Sequence, residues 1–232
     1  MLRERMSLKQ SPLPLRHQFG GRSRRPSQRD LERAAPVVYV FPRAMTTSSP
    51  TRRSVPITYT VPELLRDLTW VVSRVPALGS IWIGERVPRA LRERIIVAVA
   101  RVNGCPMCEH AHVRMALDAG VSETELAALE GPEAQSTDSK TWLAIAYATE
   151  RTRARFGPIH ELGEHEALEH ALGPQTLRDV EDIAHVMTVA NGIANTLNAL
   201  PARRRGQPVP GSRQLDEWLI NLVFLPGAWL GT

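Results

Sequence analysis

Residues 93–112, ERIIVAVARVNGCPMCEHAH, form the stretch from which the fold and the chemistry of this chain are best inferred. They contain both cysteines of the 232-residue sequence, Cys105 and Cys108, as a single C-x-x-C. The Asn-Gly dipeptide at 103–104 is typical of a helix end followed by a turn. Pro106 suits the first turn of a helix, where its missing N–H costs nothing. The stretch therefore predicts one helix that ends at the dipeptide and a second that starts at Cys105.

Helical periodicity continues on both sides of this stretch, and no pair of strands with hairpin chemistry stands out. The first helix is expected to open at Thr60 or Pro62 and to end at Pro76 and Gly79. Further helices are predicted over about 88–102, 105–119, 122–129, 138–156 and 161–171, from Thr176 to about 200, and as a last amphipathic segment at 215–225. Alanine, leucine and valine are plentiful and aromatic residues make up only 5%, which favours helices over sheets. The expected fold class is all-α.

Composition divides the chain into three parts. Residues 1–55 are rich in Arg, Ser and Pro and are expected to be a disordered basic tail or an over-called start of the reading frame. Residues 56–202 are expected to form the helical domain, and 203–232 a polar linker with a C-terminal packing arm.

The basic net charge of +5 belongs to the start of the chain. Residues 1–44 hold ten Lys and Arg against three Asp and Glu, so the remainder carries a net charge of −2. The helical part therefore gives no electrostatic reason to expect a nucleic-acid partner. The apolar residues near the C-terminus are too few and too interrupted to span a membrane, so no membrane partner is expected either. Two cysteines exclude a disulfide scaffold and favour a reducing compartment, and the expected location is the cytoplasm.

The C-x-x-C at a helix start predicts thiol chemistry. Amide groups and the positive end of the helix dipole stabilise a thiolate there. His112 lies four residues after Cys108, one turn along the same face, where an imidazole could hydrogen-bond that sulfur and carry its proton. Glu93 has apolar neighbours at four and seven residues, Val97 and Ala100, so its carboxylate is expected to face inward as a proton acceptor.

The set formed by Glu93, the run NGCPMCEHAH and the following helix resembles the alkylhydroperoxidase (AhpD-like) branch of the carboxymuconolactone decarboxylase family. The segment AHVMTVANGIANTLNAL resembles that family's closing helix, and the resemblance covers roughly 60–200. One difference lies between the cysteines, where the alkylhydroperoxidase that names the branch has a histidine and this chain has Pro106 and Met107. The true decarboxylases lack the C-x-x-C, which disfavours a lactone decarboxylase.

The resemblance implies an AhpD-like helical fold that assembles as homotrimers or homohexamers, and an enzyme of the peroxiredoxin type that reduces hydroperoxides or partner disulfides. In this reading Cys108 is the peroxidatic cysteine, Cys105 resolves it, and His112 and Glu93 relay protons. Electrons would come from a thiol protein of the lipoyl or thioredoxin-like kind, since no flavin or nucleotide motif is visible. Neither a cofactor nor a metal is expected.

Two other readings of the C-x-x-C stay open. It could switch assembly in a redox sensor without turnover, or it could bind a metal with His112 and either Glu93 or His110 as the fourth ligand.

The other polar and aromatic residues that stand out have simpler interpretations. His110 is expected to be exposed or interfacial, and His160, His165 and His170 are expected to lie around a solvated helix. Asn191, Asn195 and Asn198 share one side of the last long helix and could line a pocket, bond across a subunit contact, take part in helix packing or be simply exposed. Trp70, Trp82, Trp142, Trp218 and Trp229 are expected in the core or in interfaces.

Overall fold

The computed structural model describes residues 55–129, 138–157 and 162–224, and those ranges contain α-helices and no β-strand. The helices in chain order are α1 (Val61–Trp82), α2 (Arg89–Val102), α3 (Pro106–Asp118), α4 (Glu123–Ala128), α5 (Ser139–Arg153), α6 (Leu162–Leu172), α7 (Pro174–Arg204) and α8 (Gln214–Phe224). The predicted all-α class is confirmed. None of the described helices is long and apolar enough to cross a membrane. Predictions that concern residues 1–54 and 225–232 lie outside the described residues.

Helices α2 and α7 form the centre of the fold. The run 95–100 in α2, IIVAVA, is apolar on every side, and all six residues are at most 1% exposed. A helix that is apolar all round is stable only when it is surrounded, and α2 packs against α3, α5 and α7. Helix α7, with 31 residues, packs against α1, α2, α3, α5, α6 and α8. Residues 93–102 of the stretch that opens the sequence analysis therefore lie on one of the two central helices, α2, and the rest lies in the following turn and on α3, which packs against α2.

The prediction that Pro76 and Gly79 end the first helix is wrong. Helix α1 continues through both residues to Trp82. A proline inside a helix leaves the carbonyl one turn earlier, at Val72, without its partner. Val72 is 70% exposed, so water can serve that carbonyl, while Ile81 beyond the proline is fully buried and holds the last turn on the core. Tertiary burial has overridden two local helix-stop signals.

The other helix boundaries agree with the sequence prediction to within about four residues. Ser122 caps α4 through a capping box with Glu125, as predicted. Thr60 forms a second capping box with Glu63 at the start of α1. In both boxes the glutamate accepts hydrogen bonds from the capping residue, which lowers the pKa of Glu125 to about 2 and that of Glu63 below its usual range.

Helix α8 packs on α7 and α1. Ile220, 2% exposed, lies in a cluster with Tyr59, Leu64 and Val189. The Glu217 carboxylate of α8 is 0% exposed and accepts two hydrogen bonds from Arg203 of α7, at 2.7 and 2.9 Å. This pairing lowers the pKa of Glu217. The arginine-rich end of α7 therefore belongs to the helix and holds α8 in place.

Candidate redox site

The turn between α2 and α3 places the cysteines as the sequence predicts. Asn103 is the C-cap of α2, and Gly104 follows with a φ of 60°, in the left-handed region that glycine adopts without strain. Cys105 is the N-cap of α3, and Pro106 is its first residue. The Cys105 N–H donates to the Ala100 carbonyl at 3.0 Å, so the chain is tied to α2 until the new helix begins.

The two cysteines are joined in a disulfide, with their Cα atoms 5.3 Å apart. Cys105 is 2% exposed, whereas Cys108, the third residue of α3, is only half-buried. Its neighbour Met107 is 57% exposed. Cys108 is therefore the more accessible of the two cysteines.

Glu93 and His112 meet across the α2–α3 contact. The Glu93 carboxylate is 4% exposed and lies 2.8 Å, Oε2 to Nδ1, from the imidazole of His112. The predicted inward orientation of Glu93 is confirmed. The disulfide, the carboxylate and the imidazole thus share the interface of two packed helices.

The hydrogen bond of His112 joins it to Glu93 and not, as the sequence suggested, to Cys108. An ionised carboxylate only accepts, so it fixes the proton on Nδ1 and leaves Nε2 of the neutral ring as a base. His112 remains one turn after Cys108 on α3. The arrangement is a carboxylate that orients an imidazole, and the imidazole lies on the same helix as the accessible sulfur.

Arg92 covers the other side of the Glu93 carboxylate. It is 7% exposed, its Nη1 donates to the Ile81 carbonyl at 3.1 Å, and its guanidinium lies 5.4 Å from the centroid of the Trp82 ring. Its Nε is 3.9 Å from Glu93 Oε1. The Arg92 guanidinium and the Glu93 carboxylate are thus buried side by side without a hydrogen bond between them. The burial of Arg92 was not predicted, because an arginine next to a glutamate in a helix is typical of an exposed surface.

A second ion pair joins the helices on either side of the turn. Arg101, in the last turn of α2, donates Nε to Glu109 in the first turn of α3 at 2.8 Å. Its Nη1 donates to the Leu126 carbonyl at the end of α4 at 2.7 Å. One side chain therefore links α2, α3 and α4 around the cysteines.

Helices α2 and α3 also lie within the part of the chain that matches a known protein family. Residues 77–150 match the model of the carboxymuconolactone decarboxylase family. The match covers about a third of the chain and includes all four predicted site residues, Glu93, Cys105, Cys108 and His112. No curated protein and no solved structure matches the chain. The carboxymuconolactone decarboxylase match thus falls on the helices that build the redox site and stops before α6 and α7.

The other polar residues singled out in the sequence fall into two groups. His110, His170 and Asn198 are exposed. Asn191 and Asn195 are buried, and both bond Asn103 within the chain. His160 and the side chain of His165 lie outside what the structure describes. The described residues contain no group of three or more His, Cys, Asp or Glu side chains that could hold a metal ion.

The tryptophans are less enclosed than expected. Trp70, Trp82 and Trp142 are half-buried, and Trp218 is 43% exposed. Trp229 lies beyond the last described residue. Core or interface positions for these rings therefore stay predictions.

A separate cavity of about 340 Å³ lies between α1, α5 and α7. His185 is stacked there between Trp70, with ring centroids 3.7 Å apart, and Phe156, at 4.1 Å. Arg74 forms two hydrogen bonds with Asp182, at 3.0 and 2.7 Å. The polar and aromatic groups of this cavity are thus largely bound to one another.

Proposed function

We propose that this protein is a thiol-dependent oxidoreductase of the AhpD-like kind, which uses Cys105 and Cys108 to reduce hydroperoxides. The observation that supports this most is the buried Glu93 carboxylate bonded to His112, one turn from the more accessible cysteine of a C-x-x-C. Dithiol chemistry needs a base that can take and return a thiol proton, and an imidazole oriented by a carboxylate is such a base.

In the proposed reaction the Cys108 thiol gives its proton to His112. The thiolate attacks the terminal oxygen of the hydroperoxide and breaks the O–O bond, and the departing alkoxide takes the proton as it leaves as an alcohol. Cys108 is then a sulfenic acid. Cys105 attacks the sulfur of Cys108, water leaves, and the disulfide forms. Two electrons pass from the dithiol to the peroxide, and no metal or flavin takes part.

A partner dithiol would return the enzyme to its reduced form. We propose a lipoyl or thioredoxin-like protein in the cytoplasm, whose thiolate attacks Cys108 because Cys105 is 2% exposed. The departing Cys105 thiolate takes up a proton. The partner's second thiol then releases Cys108, so that two electrons and two protons reach the enzyme.

Stopped-flow mixing of the reduced full-length protein with cumene hydroperoxide tests the proposal. The wild type is expected to consume one equivalent and lose both thiols. Cys105→Ser should also consume one equivalent and leave a sulfenic acid at Cys108 that dimedone traps. Cys108→Ser should consume none above buffer. The proposal fails when the wild type consumes peroxide no faster than Cys108→Ser.

The same variants separate the alternatives when particle mass, zinc content and lyase activity are measured as well. Slow oxidation that changes the particle mass without turnover would indicate a redox sensor. Loss of bound zinc on Cys105→Ser would indicate a metal site. A lyase, which the family name suggests, would keep its activity in both serine variants.

We also propose that copies of the chain assemble into a homotrimer or homohexamer. Leu65, Val72 and Val75 project from α1 at helical spacing and are 60, 70 and 57% exposed. An apolar stripe of this kind is typical of a surface covered by a partner. Light scattering should give a multiple of the 25.8 kDa chain mass. Val72→Glu should lower that mass, whereas Thr124→Glu, at an exposed position of α4, should leave it unchanged. A monomeric wild type would contradict the assembly.

A further inference from the structure

The backbone of Asn103 is held from three directions. Its N–H donates to the Val99 carbonyl at 2.9 Å, as expected at the end of α2. Its carbonyl accepts the Ile57 N–H at 3.1 Å and the side-chain amide of Asn195 at 3.1 Å. A helix-end carbonyl usually turns to water or to a local turn. Here a segment 46 residues earlier and a helix 92 residues later both bind it.

The Asn103 side chain is 1% exposed and also binds α7. Its Nδ2 donates to Thr188 Oγ1 at 3.1 Å and to Asn191 Oδ1 at 3.2 Å. The direction of these bonds is determined, because the Thr188 hydroxyl already donates to the Ala184 carbonyl at 2.8 Å and can only accept from Asn103. Both N–H groups of the Asn103 amide are thus used.

Asn191 shows how strongly this arrangement is favoured. Because its Oδ1 faces Asn103, its Nδ2 points elsewhere, and that buried atom has no hydrogen-bond partner among the described residues. An unpaired buried amide costs about 1–3 kcal/mol. The fold therefore retains an unfavourable donor on α7 while presenting an acceptor to Asn103.

Asn103 is two residues before Cys105, and we propose that it is a positioning residue of the redox site. By tying the α2–α3 turn to α7, it keeps Cys105 at the start of α3 in the dithiol state as well as in the disulfide state. We call the bonds of Asn103 to Thr188, Asn191 and Asn195 the clamp. The clamp thereby sets how readily the disulfide forms. This inference rests on the proposed function only in requiring that the two cysteines cycle between dithiol and disulfide.

The physical reason is the effective concentration of one sulfur at the other. In exchange with dithiothreitol, the protein dithiol gives two electrons and two protons to oxidised dithiothreitol and becomes a disulfide. When the turn is held, the protein loses little conformational freedom on ring closure, so the equilibrium favours the disulfide. When the clamp is removed, the reduced turn gains freedom, and the equilibrium shifts toward the dithiol.

The test measures that equilibrium in the full-length protein. We would bring four proteins to equilibrium with mixtures of reduced and oxidised dithiothreitol: the wild type, Asn103→Ala, Asn195→Ala and Thr188→Val. Free thiols are then alkylated, and mass spectrometry gives the fractions of dithiol and disulfide protein. The variants are expected to form the disulfide with an equilibrium constant about tenfold lower than the wild type, which corresponds to a potential about 30 mV less negative. If Asn103→Ala does not fold, Thr188→Val and Asn195→Ala still test the proposal.

Asn221→Ala is the matched control. Asn221 is also a buried asparagine, and its Nδ2 donates to the Glu217 and Leu197 carbonyls in the α7–α8 contact, away from the turn. It should lower the free energy of unfolding and leave the disulfide constant within about twofold. The proposal is overturned when the clamp variants stay within twofold of the wild type, or when Asn221→Ala shifts the constant as much as they do. The readout involves no hydroperoxide, so it distinguishes failure of the clamp from failure of the peroxidase proposal.

Discussion

Glu93 is a carboxylate placed among apolar residues, and such a group is stable as an anion only with partners. His112 Nδ1 supplies a hydrogen bond at 2.8 Å, and the Arg92 guanidinium lies 3.9 Å away. Removing a buried charged partner usually costs several kcal/mol because the other partner is left unpaired. The intact pair adds little net stability over apolar side chains of similar size, so stability alone does not explain its presence. We propose that it serves proton transfer to and from Cys108.

Substitutions of this pair should lower the free energy of unfolding and, in the protein that stays folded, slow the thiol chemistry. His112→Gln removes the base, and we expect the rate of Cys108 with cumene hydroperoxide to fall on the order of 10²-fold. Glu93→Gln keeps the size of the side chain but no longer fixes the imidazole as a base, and we expect a loss on the order of tenfold. Stopped-flow rates at pH 7, with circular dichroism to confirm folding, give both values.

Glu109→Gln is the control for charge on the same helix pair. Glu109 binds Arg101 at 2.8 Å and is half-buried, but its hydrogen bond does not involve His112. Its rate should stay within about threefold of the wild type, since a partly exposed pair contributes about 1 kcal/mol or less. Equal losses for Glu93→Gln and Glu109→Gln would show that helix packing, and not the relay, controls the rate.

At the scale of helices, the contact between α7 and the segment before α1 depends on a glycine. A Cβ added at Gly192 would lie 2.4 Å from the ring of Tyr59. That ring cannot easily move, because Tyr59 is 8% exposed, its N–H donates to Thr196, and its hydroxyl donates to Asp67 at 2.7 Å. Only glycine allows the two segments to approach this closely.

Gly192→Ala is therefore expected to destabilise the protein. Overpacking of this kind typically lowers the free energy of unfolding by about 1–3 kcal/mol. Gly79→Ala is the matched control, because Gly79 lies inside α1 and an added Cβ would meet nothing within 4 Å. Alanine there should raise the free energy of unfolding by about 0.5–1 kcal/mol. Urea unfolding curves test both, and a stabilising Gly192→Ala would contradict the packing argument.

The contrast between α1 and the redox turn explains what the sequence could predict. The turn is specified locally: Asn-Gly, both cysteines and Pro106 lie within six residues, and the structure agrees with the prediction made from them. The end of α1 is specified by burial of Ile81 against residues distant in the chain, which no local signal at Pro76 or Gly79 reveals. Asn103 depends on both local and long-range interactions. Its turn was predictable, whereas its bonds to α7 span 85 to 92 residues and were not.

At the scale of the whole molecule, α1, α5 and α7 meet around one imidazole. His185 of α7 is stacked between Trp70 of α1 and Phe156, which follows α5. Phe156 reaches this position with a φ of 55°, a left-handed backbone that is unfavourable for an aromatic residue. The ring contact thus joins three helices, and its stability should depend on the charge of the imidazole.

Burial lowers the pKa of His185 below its ordinary value of 6.5, although the carboxylates of Asp67, Glu181 and Asp182 oppose the shift. In the unfolded chain the imidazole takes up a proton as the pH falls through about 6.5, whereas in the folded protein it takes up the proton only at a lower pH. The unfolded state then binds more protons, so the free energy of unfolding decreases as the pH falls below that value. Above it, both states hold a neutral ring and the contribution is constant.

His185→Phe should keep the three stacked rings and remove this titration. We expect its free energy of unfolding to fall less than that of the wild type between pH 7.5 and 5, as measured by urea unfolding at half-unit steps. His170→Phe, at an exposed position of α6, should follow the wild type. The range stops at pH 5 because carboxylates with a lowered pKa, such as Glu125 at about 2, contribute stability that is lost only in more acid solution. Parallel curves for wild type and His185→Phe would show that another group controls the acid sensitivity of the helix bundle.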